Sequence, residues 1–182
     1  MKFLIAAASV AVVAVSAPAF AQIQPTANTG VYGNLGYSNF GIGDANINAI
    51  QGRLGYRFND YIGVEGEVAG GLNKDKVNIA PGVDAKVKLN HEEAIYGVGF
   101  LPLSPRFDLL GRVGYGHSKI STSIPGTGIS GSDGEDSWNF GGGAQYRLDP
   151  HNGIRAEYTR QEFQGHDAGH ADVWSVGYNR KF

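Results

Sequence analysis

Cysteine is absent from the 182 residues. That excludes a disulfide framework and a thiolate metal site, so a domain exported to an oxidising compartment would have to be closed by other means. Clustered positive charge is missing too: 15 Lys+Arg stand against 17 Asp+Glu. Phosphate backbones are bound by concentrated cations, and nucleic acid is therefore not expected as a partner. After the first 21 residues there is no long apolar run, and no stretch sustains the 3.6-residue period of an amphipathic helix.

The opening MKFLIAAASVAVVAVSAPAFA has one charge at Lys2, an apolar stretch from Phe3 to Val15 broken only by Ser9, and the small-residue ending Ala19-Phe20-Ala21. These are the three parts of a secretory signal peptide, with cleavage expected after Ala21, and the apolar part is too short for a membrane-spanning helix. Residues 22–29 form a short N-terminal segment, and 30–182 form a single domain. Glycine supplies 28 of the 182 residues, about 15%, roughly twice the ordinary share. Glycine disfavours helix interiors, which leaves β structure with close backbone approaches.

A two-residue apolar period recurs eight times, over approximately 30–40, 47–58, 62–72, 90–100, 106–118, 137–148, 153–163 and 171–182. Such lengths suit tilted strands crossing a bilayer. Connections at 59–61, 101–105 and 149–152 are short, whereas 41–46, 73–89, 119–136 and 164–170 are mostly longer and polar. This alternation predicts an all-β fold: an eight-stranded antiparallel transmembrane barrel of up-and-down topology, with both chain ends on the short-turn side.

One strand face collects Leu54, Tyr56, Phe58, Ile62, Val64, Val68, Tyr96, Val98, Phe100, Phe107, Leu109, Val113 and Tyr115. It continues through Trp138, Phe140, Tyr146, Leu148, Ile154, Tyr158, Trp174, Val176, Tyr178 and Phe182, with Arg180 as its charge at the extreme end. The other carries Arg53, Arg57, Arg112, Arg147 and Arg155 with Glu65, Glu67, Glu93, Asp108 and Glu157. A soluble barrel carrying an apolar ligand would turn the apolar face inward; a membrane barrel inverts this. Aromatics at strand ends suit two interfacial girdles, and balanced charges suit a narrow lumen, so the inverted arrangement is expected. The phase changes near residues 90–93, where a β-bulge or a small hairpin at Pro81-Gly82 would account for it. Arg160, outward beyond Tyr158, would meet lipid phosphates at the outer rim.

IGVEGEVAGGL at 62–72, GIRAEYTR at 153–160, the leader and the terminal phenylalanine together resemble the small eight-stranded outer-membrane barrels, the superfamily of the OmpA transmembrane domain, OmpX and the opacity-type surface antigens. The resemblance covers the chain from about Gly30 onward. It implies an outer-membrane location, with lipid and lipopolysaccharide as partners. It also implies a terminal signal read by the barrel-assembly machinery, matched here by Val176, Tyr178 and Phe182; Arg180 departs from it where an aromatic is commoner.

Several residue patterns could carry chemistry. Glu65 and Glu67 share a face with α-carbons about 6.7 Å apart, within reach for an acid/base pair, but arginines such as Arg155 and Arg53 offer ion pairs instead. His117 faces outward near the rim, where a serine–histidine–carboxylate lipid-modifying site could sit; Ser118 points the other way, and no outward carboxylate is evident beside the histidine. QGHDAGH, with Asp167 beside His166, sets His166 and His170 four apart, as a metal site on a helix would, but its internal glycine marks a loop, and Asp133, Glu135 and Asp136 in SGSDGEDS fall short of a calcium loop. No catalytic residue, metal or cofactor is therefore expected. The leading expectation is a non-enzymatic, monomeric surface and envelope-integrity protein, with a narrow solute pore second and a lipid A-modifying enzyme third.

Overall fold

A computed structural model describes residues 28–42, 45–73, 75–80, 83–124, 129–164 and 169–182. The expected signal peptide lies outside the described residues. The described residues form nine strands: β1 (Gly30–Ile42), β2 (Ala45–Arg57), β3 (Ile62–Gly71), β4 (Asp75–Ala80), β5 (Val83–Ser104), β6 (Phe107–Ile124), β7 (Ile129–Arg147), β8 (Asn152–Phe163) and β9 (His170–Lys181). All neighbouring pairs are antiparallel, in the order β3-β2-β1-β9-β8-β7-β6-β5-β4, and β3 also pairs with β5. That last pairing closes eight strands into a ring. β1 meets β9 with Leu35 opposite Tyr178 and Tyr37 opposite Val176, so first and last strands seal the wall. Closure satisfies backbone donors and acceptors without a free edge inside the ring, which a strand in hydrocarbon requires.

The turns at 58–61, 105–106 and 148–151 gather at one end with Phe182; this is the turn end. Toward the far end, β6 and β7 stay paired up to Ile124 opposite Ile129, whereas β7 and β8 part beyond Ser137 opposite Phe163. β5, β6 and β7 therefore project past the ring, and β4 pairs alongside β5. Much of what the sequence presents as polar loop at 73–89 and 119–136 is thus strand.

The faces are inverted relative to a soluble protein. Leu35, Leu54 and Trp174 are about two-thirds exposed, while Arg155 and Glu65 are almost wholly buried. This arrangement excludes the apolar-ligand carrier, because the closed interior holds the charge. Tyr56, Phe58, Tyr61, Tyr146 and Phe182 ring the turn end, and Tyr37, Tyr115, Trp138 and Trp174 ring the outside farther up.

In β5 the expected facing is wrong. Tyr96, Val98 and Phe100 point inward and are buried, whereas Ile95 and Leu101 face outward. A register shift between Leu89 and His91 adds a residue to β5, and the β4–β5 pairing forms the small hairpin, whose residues 81 and 82 lie outside the described residues. The inward rings find apolar company in Tyr32 and Leu110. They also find space: Tyr96 lies over Gly114 and Tyr32 over Gly55, where any Cβ would strike the ring. A ring covering a strand glycine restores packing that the glycine gives up.

Candidate functional site

The lumen is built in four layers. Nearest the turn end, Asp108 on β6 is fully buried and accepts hydrogen bonds from Arg57 Nη1 at 3.0 Å and from Arg147 Nη1 and Nη2 at 2.6 and 3.0 Å. Arg57 also donates to the Asn59 and Asp60 carbonyls and stacks 4.0 Å over the Phe100 ring; Arg147 donates to the Pro105 carbonyl. Two cations thus share one carboxylate and spend their remaining donors on turn carbonyls, which sets the turns against the barrel floor.

The central layer sets three arginines against three glutamates. Arg155 donates to Glu65 at 2.5 and 3.2 Å and to Glu157 at 2.7 Å, and the Tyr32 hydroxyl donates to Glu65 at 2.6 Å. Arg112 is 2.8 Å from Glu67 and 3.5 Å from Glu157, with its guanidinium 3.4 Å over the Tyr96 ring. Arg53 pairs with both Glu67 and Glu157. Strands β2, β3, β6 and β8 each contribute, so the pairs run across the barrel. In a desolvated interior an unmatched charge is costly, and equal numbers with multiple bonds answer that cost. The same bonds remove Glu65 and Glu67 from acid/base work: each is held by guanidinium groups, and an eight-stranded interior is filled by its side chains.

Above these, the Tyr96 hydroxyl accepts from Asn139 Nδ2 at 2.8 Å, Ser137 donates to Asn139 Oδ1 at 2.8 Å, and Gln161 Nε2 donates to Glu92 at 2.5 Å. The far end is capped by an apolar cluster of Phe40, Ile47, Ala49, Ala69, Leu89, Ala171 and Val173, with Ile42 and Phe163 against it.

Arg53, Arg57, Arg112, Arg147, Arg155, Glu65, Glu67, Asp108 and Glu157 all enter the lumen. Glu93 does not: it is exposed outside, and Glu92 is the buried acid, because Glu92 keeps step with the inward Tyr96, Val98 and Phe100. Glu92, Tyr32, Tyr96, Asn139 and Gln161 are lumen residues that charge alone does not reveal. Parity does reveal Gln161, which keeps step with Arg155 and Glu157.

Outside, His117 does have a carboxylate beside it. Asp136, directly across the β6–β7 pairing, lies 2.7 Å from His117 Nδ1, and Glu93 sits opposite on β5. The neighbour comes from the facing strand, which spacing along one strand could not show. Ser118 is buried on the opposite face, and Ser137 lies in the lumen. Arg160 is engaged by Glu162 and stands 3.7 Å from Asp172, which also accepts from the Tyr158 hydroxyl at 2.6 Å. His170 is 3.8 Å from Asp172, while His166 and Asp167 lie outside the described residues. Among the described residues no three His, Asp or Glu side chains converge to hold a metal.

An apolar, aromatic-belted exterior around a charged, closed lumen defines a transmembrane β-barrel of the outer-membrane type. The chain belongs to the family described as outer membrane protein beta-barrel domain, whose profile matches residues 7–182. No curated protein matches the sequence. Solved structures share its fold: Ail, the attachment invasion locus protein of Yersinia pestis, at 23% identity and TM-score 0.60, covers 85% of this chain and 99% of its own. Neisserial surface protein A follows at 16% identity and 0.57, covering 84% and 96%. OprG from Pseudomonas aeruginosa gives 14% and 0.56, covering 88% and 99%.

Proposed function

We propose that this outer-membrane barrel is a non-enzymatic, non-conducting protein of the bacterial surface that contributes to envelope integrity. The filled lumen carries this reading: three-against-three ion pairs cross its middle, and the apolar cap of Phe40, Ile47, Leu89 and Val173 shuts its far end. In this reading the leader is cleaved after Ala21, the turn end faces the periplasm and the projecting strands face the exterior. Lipid and lipopolysaccharide surround a monomer, the barrel-assembly machinery reads Val176, Tyr178 and Phe182, and no nucleic acid or cofactor takes part. Ail was solved with the heparin analogue sucrose octasulfate. The acidic SGSDGEDS stretch here is ill suited to a polyanion, and that ligand is not carried over.

Planar-bilayer recording of the refolded barrel tests the proposal. Silence is expected, checked by heat-dependent gel migration as proof of folding; sustained conductance steps from folded protein would overturn it. The second reading, a narrow pore, draws on Asn34, Ser38, Gln51 and Asn179, which carry buried polar atoms without a hydrogen-bond partner among the described residues, as would suit water. A lipid A-modifying enzyme is less well served. His117 and Asp136 form an outward pair, but both nearby serines face the interior, and a nucleophile needs hydrogen-bond reach of its base. Lipid A of unchanged composition from cells with and without the gene is the corresponding expectation.

A further inference from the structure

We propose that Glu92, Ser118 and Gln161 form an oxygen-lined site for a small monovalent cation, between the central ion pairs and the apolar cap. Three oxygens mark it: Glu92 Oε2, Ser118 Oγ and Gln161 Oε1 are buried without a hydrogen-bond partner among the described residues. Their side chains come from β5, β6 and β8 and are together in space. Glu92 lies directly opposite Ser118 in the β5–β6 register, with both turned inward, and Gln161 Nε2 donates to Glu92 Oε1 at 2.5 Å. Glu92 and Gln161 are each no more than 1% exposed and Ser118 is 2% exposed.

Charge decides the ligand. Every other buried carboxylate here has an arginine against it: Glu65 has Arg155, Glu67 has Arg53 and Arg112, Glu157 has all three, and Asp108 has Arg57 and Arg147. Among the described residues Glu92 has no cation within ion-pair distance. A carboxylate taken out of water demands a counter-charge, and the cap above it, including Leu89, offers none. Carboxylate, amide and hydroxyl oxygens are hard donors. One carboxylate balances one positive charge. A divalent ion would leave one positive charge unmatched above a central layer that is already balanced, and calcium takes six to eight oxygens while magnesium retains several waters.

The test compares unfolding midpoints of the refolded mature barrel in sodium, potassium and choline chloride at equal ionic strength and pH. A ligand at a hundredfold excess over its Kd should raise the midpoint by about 5–11 °C. The expected result is a shift in sodium or potassium over choline that disappears in Glu92→Gln, shrinks in Ser118→Ala and persists in Glu93→Gln, whose side chain is outside. Sodium-23 NMR line broadening should follow the same order and reads binding directly if Glu92→Gln folds poorly. Equal responses in wild type and Glu92→Gln would reduce the effect to ionic screening and overturn the site. Stability that follows pH with no dependence on the cation would overturn it as well, showing that a proton neutralises Glu92.

Discussion

Glu65 shows how a single lumen residue is committed. It is fully buried, bonded twice to Arg155 and once to the Tyr32 hydroxyl. Removing one partner of a buried pair typically costs about 3–5 kcal/mol, because the other charge is stranded. Arg155→Met should therefore lower the unfolding midpoint sharply, as should Glu65→Leu, and the double variant should lose about 1–3 kcal/mol less than the two single losses together. Urea unfolding of the four proteins checks this, and strictly additive losses would show that the pair is not coupled. Glu157 does not confuse the cycle, since it keeps Arg53 and Arg112 when Arg155 is gone. A second residue titrates in the open. Asp149, in the turn before β8, accepts from the Asn152 side-chain amide and from the backbone N–H groups of His151 and Asn152. These bonds, the Asn152 amide first, hold its carboxyl below the usual range. A depressed folded value means that the contribution is fully present above the unfolded value of about 4 and fades as pH falls through the lower folded one. The stability gap between wild type and Asp149→Ala should thus be open at neutral pH and close on acidification toward pH 2; a gap constant with pH would rule out the titration.

Among the elements, β9 carries the most testable claim. Its backbone ends with Phe182 N–H donating to the Val31 carbonyl at 3.0 Å, and the Phe182 ring packs beside Gly33 on the outward face. Arg180 faces the same way, with its guanidinium 6.0 Å from that ring. If the terminal strand is read during assembly through its outward aromatics, Arg180→Phe should increase the heat-modifiable, folded fraction in membranes and Phe182→Ala should reduce it severalfold. Equal folded fractions in all three would remove the terminal pattern from assembly. Strand β9 was legible because it alternates without interruption: Trp174, Val176 and Tyr178 outward, Gly177 and Asn179 inward. β5 was not. Its inward positions carry Tyr96, Val98 and Phe100 while Gly97 and Gly99 stand outward, so apolarity there marks the interior and no longer the lipid face. Alternation reports a period of two but not a phase: the phase of Tyr96, Val98 and Phe100 puts Glu92 in the lumen in place of Glu93, and the register shift at Leu89 to His91 turns Leu89 inward as well. The His117–Asp136 pair was hidden for another reason: cross-strand neighbours depend on register, which no single strand contains.

At the scale of the molecule, what closes the domain without a disulfide is the wall itself. β1 pairs with β9 and β3 with β5, leaving no edge within the ring, and the charged layers tie opposite walls together. The absence of cysteine that made this necessary also makes the orientation simple to measure, because every introduced thiol is the only one present. Gly131 lies exposed on the projecting part of β7 with nothing within 4 Å of an added Cβ, and Arg106 lies exposed in the turn joining β5 to β6. If the turns face the periplasm, Gly131→Cys should react with a membrane-impermeant maleimide on intact cells, and Arg106→Cys should react only after the outer membrane is permeabilised. The reverse pattern would invert the barrel in the membrane. Labelling of both sites in intact cells would mean that the aromatic belts do not bound a lipid-spanning band.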